Sequence, residues 1–390
     1  MEVKPGYKQT EVGIIPDDWA ISCVGDSFDV CNELRFPISQ SERERMVGPY
    51  PYYGPTSVQG WINEYRVEGE YALIGEDGDH FLKWRSQPMT LLVRGKFNVN
   101  NHAHLVRGTK NITAWFYWFF SNRNLTPYLT RQGAGRYKLT KAALLNIPCA
   151  LPPKIEEQRA ITGALSDVDA LISGLDQLIA KRRDLKQATM QQLLAGKKRL
   201  PGFNGVWELK QLRDIAHINM GQSPDSRNYN QSGIGIPLIQ GNADIENRKS
   251  IRRVWTTQIT KTCDEGDLIL TVRAPVGSIG VASEHSCLGR GVCSLKPINA
   301  HAPFLFHAMV FAESHWKILE QGSTFTAANS AQIAEFPLMI TGTHEEQTAI
   351  ATVLSDMDSE LVALQQRRDK TCALKQGMMQ ELLTGRIRLV

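Results

Sequence analysis

The sequence predicts an α+β protein: two similar mixed α/β domains separated by two long helices that form an antiparallel coiled coil. Three observations predict it. A stretch of the chain is duplicated, each copy carries a heptad of apolar residues, and the remaining segments hold short apolar runs bounded by glycine.

The duplication is the strongest of these signals. Glu156-Glu157-Gln158 recurs as Glu345-Glu346-Gln347, a shift of 189 residues. At that shift, without a gap, Ser166-Asp167-Val168-Asp169 falls on Ser355-Asp356-Met357-Asp358, and Leu185-Lys186-Gln187 on Leu374-Lys375-Gln376. Leu193-Leu194-Ala195-Gly196 likewise falls on Leu382-Leu383-Thr384-Gly385. The match continues more faintly upstream, where Trp115-Phe116-Tyr117 meets Phe304-Leu305-Phe306. The implied order is a domain over residues 1–153, a helix over 154–198, a second domain over 199–342 and a second helix over 343–390.

Each matched stretch predicts a long helix. Ile161, Leu165, Val168, Ile172, Leu175 and Ile179 alternate in steps of four and three, the seam of a coiled coil. Ile350, Leu354, Met357, Leu361 and Leu364 repeat that spacing in the second copy. Pro152-Pro153 blocks earlier helix growth, and Gly196 and Gly385 stop the helices. After Ile179 the seam positions become Arg182 and Lys186, so the clean heptad ends there. The second helix opens with Thr341-Gly342-Thr343-His344 in place of the double proline, which leaves its start less defined.

The domains read as β-rich. Tyr71-Ala72-Leu73-Ile74 and Asp267-Leu268-Ile269-Leu270-Thr271-Val272 are predicted strands, followed by the glycine-bounded loops Gly75-Glu76-Asp77-Gly78 and Ala274 to Gly280. One helix, Thr113 to Asn122 and its counterpart Pro303 to Glu313, closes each domain.

Bulk properties exclude more than they assign. With 42% hydrophobic and 22% charged residues, each part has enough apolar residues for a core. The seven cysteines form no CxxC pair, which fits reduced thiols in a cytoplasmic protein. The nearest approach to a membrane span, Trp115 to Phe120, falls far below the ~20 residues required. A net charge of +4 is compatible with nucleic acid and weaker than a self-sufficient binder carries.

The glycine-bounded loops and the helix opening Leu151-Pro152-Pro153-Lys154-Ile155-Glu156-Glu157-Gln158 form a recognisable set. With them go Pro51-Tyr52-Tyr53-Gly54, Asn100-Asn101-His102-Ala103-His104, Gly289-Arg290-Gly291 and Leu193-Leu194-Ala195-Gly196-Lys197. Along essentially its whole length the chain resembles the specificity subunit of type I restriction-modification enzymes. The resemblance implies two target recognition domains, each reading one half of a split double-stranded DNA sequence. It implies that the helices act as a ruler between the halves and as the dock for two adenine-methyltransferase subunits, through Ile161, Leu165, Val168, Ile172, Leu175, Ile350, Leu354, Met357, Leu361 and Leu364. An endonuclease/translocase subunit would join that complex, and S-adenosylmethionine, ATP and Mg would belong to the partners. The chain itself would bind no cofactor and no metal.

The sequence carries no catalytic motif of its own. A methyltransferase needs Asn or Asp before a Pro-Pro-aromatic loop, whereas Pro152-Pro153 follows Leu151. Gly196-Lys197-Lys198 lacks the upstream glycine and the hydroxyl of a phosphate loop. Asp244, Glu246 and Lys249 are the best carboxylate–lysine group, with the wrong spacing for a metal-dependent nuclease. His102 and His104 are predicted to share one strand face, either as a surface hydrogen-bonding pair or facing DNA, with no third metal ligand at a recognisable spacing.

The candidate DNA contacts are Asn100, Asn101, His102, His104, Arg136 and Lys138 in the first domain, and Arg273, Arg290, Ser323, Thr324, Thr326 and Asn329 in the second. Arg suits guanine and Asn suits adenine, while Arg136 and Lys138 also suit phosphates. The competing readings are a self-contained DNA-modifying enzyme and a two-headed protein-binding scaffold.

Overall fold

The computed structural model describes residues 4–132, 136–316 and 327–389. The chain divides into two compact units, Met1–Asp176 with Arg367–Val390, and Gln177–Gln366. These units cut across the linear division into domains and helices, because each takes the start of one long helix and the end of the other.

In the first unit a six-stranded sheet runs in the order Phe28–Val30, Ala103–Gly108, Val67–Gly75, Thr90–Val99, Val47–Tyr53, Val58–Ile62. Val67–Gly75 is the central antiparallel strand, and Tyr71 to Gly75 are buried on both faces, which explains its unbroken apolar run. The helix Thr113–Ser121 covers the sheet and buries Trp115, Phe116, Trp118, Phe119 and Phe120. Ile161 and Leu165 from the first long helix, Leu382 from the second and Leu383 just past its end complete this core.

The second unit repeats the plan with shorter strands. Leu268–Thr271 lies between Val292–Pro297 and Ile279–Val281 in a six-stranded sheet, and Ala302–Phe311 is the covering helix. Met190 and Leu193 of the first long helix, Leu194 just past its end, and Ile350, Ala351 and Leu354 of the second close its core.

The long helices span Ile155–Leu193 and His344–Leu382. Their starts are equivalent despite the missing prolines. Gln158 Nε2 donates to the Pro152 carbonyl at 3.1 Å, and Gln347 Nε2 donates to the Thr341 carbonyl at 2.8 Å. Gly196 and Gly385 stop them with φ of +64° and +68°, a conformation that glycine adopts without a Cβ penalty. A Cβ on Gly385 would also collide with the Pro16 ring.

Within each unit the two helix segments run antiparallel, as their ion pairs record. In the first unit Asp169 pairs with Lys375, and Asp176 with Arg368 at 3.1 Å. In the second, Lys186 pairs with Asp358 and Arg182 with Glu360 at 3.0 Å. The seam beyond Ile179 is therefore charged on both sides and neutralised across the pair.

One expectation is corrected. Ile161, Leu165, Ile350 and Leu354 have no more than 1% of their surface exposed. They are core residues of their own units, because the sheet and its covering helix need an apolar lid, and they offer nothing to a partner. Leu175 and Leu361 are also buried, whereas Val168, Ile172, Met357 and Leu364 keep partial exposure. No described helix is long and apolar enough to cross a membrane.

Candidate nucleic-acid interface

In the first unit the strand Thr90–Val99 returns into Ala103–Gly108 through the turn Asn100, Asn101, His102. Asn100 holds this turn rather than projecting from it. Its N–H donates to the Tyr53 carbonyl at 3.0 Å, its Nδ2 donates to Gln59 Oε1 at 3.0 Å, and its Oδ1 accepts from the His102 N–H at 2.9 Å. Asn101 and His102 are left exposed at the tip. His102 Nδ1 lies 2.9 Å from an Asp77 carboxylate oxygen, which turns the imidazole edge carrying Nε2 away from Asp77.

His102 and His104 do not share a strand face. His102 belongs to the turn, and His104, the second residue of the strand, is fully buried. His104 Nε2 donates to the Leu139 carbonyl at 2.7 Å, so Nδ1 is the acceptor for Arg35 at 2.8 Å and Asn32 Nδ2 at 2.9 Å. Burial pushes its pKa down and keeps the ring neutral. His104 has no nitrogen left for DNA, so its place among the contacts is corrected to an interior one.

Glu76 stands behind the turn. Burial raises its pKa, but the Arg35 guanidinium and the Lys138 ammonium outweigh burial and hold the carboxyl below its ordinary range. Lys138 Nζ is 3.3 Å from Glu76, while Arg136, at the start of the same short strand, is exposed.

The second unit builds the equivalent turn from Gly289, Arg290 and Gly291, between Ser286–Leu288 and Val292–Pro297. Its backbone bonds match those of the first. Gly289 N–H donates to the Ile239 carbonyl at 2.8 Å, as Asn100 does to Tyr53. Val272 N–H donates to the Gly291 carbonyl at 2.9 Å, as Glu76 does to His102 at 2.8 Å. A Cβ on Gly291 would collide with the Gln240 carbonyl oxygen, so only glycine fits there.

Arg290 is exposed, and its guanidinium makes no hydrogen bond among the described residues. Arg273 is exposed and bridges in the backbone to Ala327, as Asp77 bridges to Lys138. Asn329 is exposed, but its Oδ1 caps the short helix Ser330–Ala334 by accepting from Gln332 N–H at 2.9 Å. Ser323, Thr324 and Thr326 lie outside the described residues.

Beside this turn an open cavity of about 500 Å³ is lined by Gln240, Asn242, Asp244, Arg253 and Pro275. Asp244 is spent on structure. It accepts from the Gln240 and Gly241 N–H groups at 2.7 and 3.2 Å and from Arg253 at 3.2 Å. Glu246 and Lys249 face each other across a two-residue hairpin.

Both turns thus present side chains with directed donors and acceptors above a rigid sheet, the chemistry that hydrogen-bonds base edges. The sequence marked the turns and left out Arg35, Gln59 and Asp77. Asp77 lies in the glycine-bounded loop Gly75-Glu76-Asp77-Gly78, but its equivalence to Arg273 appears only in the backbone bridges, because at the 189-residue shift Asp77 falls on Gly266. Arg35 carried no signal.

Residues 16–181 and 204–371 each match the family model described as type I restriction modification DNA specificity domain. Two Methanocaldococcus jannaschii proteins are similar over nearly the whole chain. One, named as a candidate type I restriction enzyme MjaX specificity subunit, is 26% identical, covering 98% of this chain and 97% of its own. The type I restriction enzyme MjaVIII specificity subunit is 22% identical over 96% and 94%. Among solved structures, the S subunit of a type I restriction-modification system from M. genitalium superposes with a TM-score of 0.69 at 13% identity, covering 98% of both chains. A chain from a type I R-M system, solved for its complex assembly and conformational transition, superposes at 0.56 with 21% identity over 96% and 99%. These likenesses establish the shared fold.

Proposed function

The chain belongs to the type I restriction-modification DNA specificity family, and from that premise we propose that each unit reads one half of a split double-stranded DNA sequence. The observation that carries this reading is the pair of equivalent turns. One backbone frame presents Asn101 and His102 in the first unit and Arg290 in the second, so one mechanism serves two different sequences. Arg273, Arg136 and Lys138 add donors beside the turns, and the backbone amides there suit phosphates.

In this reading the chain is a non-catalytic cytoplasmic subunit. Two adenine-methyltransferase subunits and an endonuclease/translocase subunit supply the chemistry with S-adenosylmethionine, ATP and Mg, and the long helices set the number of unread base pairs. With a net charge of only +4, the isolated chain is expected to bind DNA weakly and with salt-sensitive affinity.

The experiment is methylation mapping on a random DNA pool, with the chain and its methyltransferase partner purified together. A single bipartite sequence is expected. Methylation without sequence preference, or nanomolar salt-insensitive binding by the chain alone, would overturn the reading.

A further inference from the structure

Arg35 is 87% buried at its side chain and ties together three segments that are distant in sequence. One terminal nitrogen donates to Glu76 Oε2 at 2.7 Å and to the Asn101 carbonyl at 3.1 Å; the other donates to His104 Nδ1 at 2.8 Å. Glu76 in turn holds Lys138, and His104 holds the Leu139 carbonyl. A single guanidinium therefore fixes the turn carrying Asn101 and His102, the loop carrying Asp77, and the strand carrying Arg136 and Lys138.

Among the described residues the second unit shows no such centre. By its backbone hydrogen bond Val272 stands for Glu76, and at the 189-residue shift Cys293 stands for His104 and Ala327 for Lys138. Its turn is instead wedged by glycine against the backbone of Gln240.

We propose that Arg35 is a positioning residue that sets the base specificity of the first unit by holding its three reading segments in one geometry. The inference rests on the reading of this chain as a two-part DNA reader. A planar guanidinium directs several N–H groups at once, which a lysine ammonium at the end of a flexible stem does not reproduce. Arg35→Lys keeps the charge beside Glu76 while releasing the bonds to Asn101 and His104. Glu76→Gln keeps the shape of the acceptor while weakening its hold on Arg35 and Lys138.

The test uses the complex with its methyltransferase partner and sequences methylated DNA from pools randomised in one half-site at a time. Both variants are expected to relax base preference in the first half-site, Arg35→Lys by roughly ten-fold, the scale of one lost base contact, and Glu76→Gln by less. Preference in the second half-site stays at the wild-type value, which a general loss of folding would not leave intact. Unchanged preference in the first half-site, or equal loss in both, overturns the role of Arg35. A wild-type complex with no bipartite preference would instead remove the underlying reading, and the proposal with it.

Discussion

Buried beneath the first unit, Glu157 is gripped by Arg388, which also reaches Asp18 at 3.0 Å. Beneath the second, Glu346 is gripped by Arg199, which also donates to the Gly205 carbonyl at 2.5 Å. Both glutamates are fully buried, and each pair links a long helix to the segment just past the end of the other. Above this shared base the units diverge. The first wires its turn with Arg35, Glu76 and His104, and the second packs glycine against backbone. Duplication has kept the interactions that orient helices and let the presenting surface drift, which is the division of labour expected where one scaffold serves two ligands.

The largest effects should come from the shared base. Removing the arginine leaves a buried carboxylate without its cation, which costs about 3–5 kcal/mol. Arg199→Ala should loosen the second unit and Arg388→Ala the first, read as local hydrogen-exchange protection. The comparison breaks if either variant loosens both units equally.

Next comes a buried position where the units differ. Trp118 Nε1 donates to Ser166 Oγ at 3.3 Å, and the equivalent His307 Nε2 meets Ser355 Oγ at 3.0 Å. Burial pushes the His307 pKa from 6.5 down to about 4; nearby Asp358 opposes the shift and Lys186 adds to it. The unfolded chain takes up the proton first as pH falls. The stability contributed here is thus complete above pH 6.5 and is lost between 6.5 and about 4, on the order of 3 kcal/mol at ~1.4 kcal/mol per pH unit. Urea unfolding at pH 7 and pH 5 should show a smaller drop for His307→Gln than for the wild type. Equal drops would remove His307 as the source.

Among the presenting residues, Arg290→Ala should weaken selection at the second half-site by ~1–3 kcal/mol if the guanidinium meets a base. The first half-site should be unaffected in the same methylation map. A loss that is equal on unrelated DNA would make Arg290 a phosphate contact.

How much of this was legible follows from which residues carry local patterns. The long helices were legible because Ile161 to Ile179 repeat at heptad spacing, and the equivalent turns because they lie 189 positions apart. Burial of Ile161 and Leu165 in their own unit was not legible, since a heptad states that a face is apolar and not what covers it. His104 was misplaced because alternation holds only inside a strand, and the strand starts after His102. Arg35 was invisible because its partners Glu76, Asn101 and His104 lie 41 to 69 residues away.

The smallest expected difference separates two lysines that occupy the same place. Lys375 pairs with Asp169 and Lys186 with Asp358, each about three-quarters or more buried. Lys375 Nζ also stands 5.0 Å from the Trp118 ring centroid, an arrangement worth ~0.5–1 kcal/mol. Lys186 has His307 in place of that ring, and its charge opposes protonation there. Replacing either lysine by Met keeps the apolar stem and removes the cation. Lys375→Met should therefore cost more than Lys186→Met by about that cation–π increment. Lys186→Met should in addition raise the His307 pKa, visible in an NMR titration of the imidazole, with no counterpart in the first unit. If Lys186→Met costs as much as Lys375→Met and the His307 titration does not move, the two positions are equivalent after all, and the divergence of the units stops at their presenting turns.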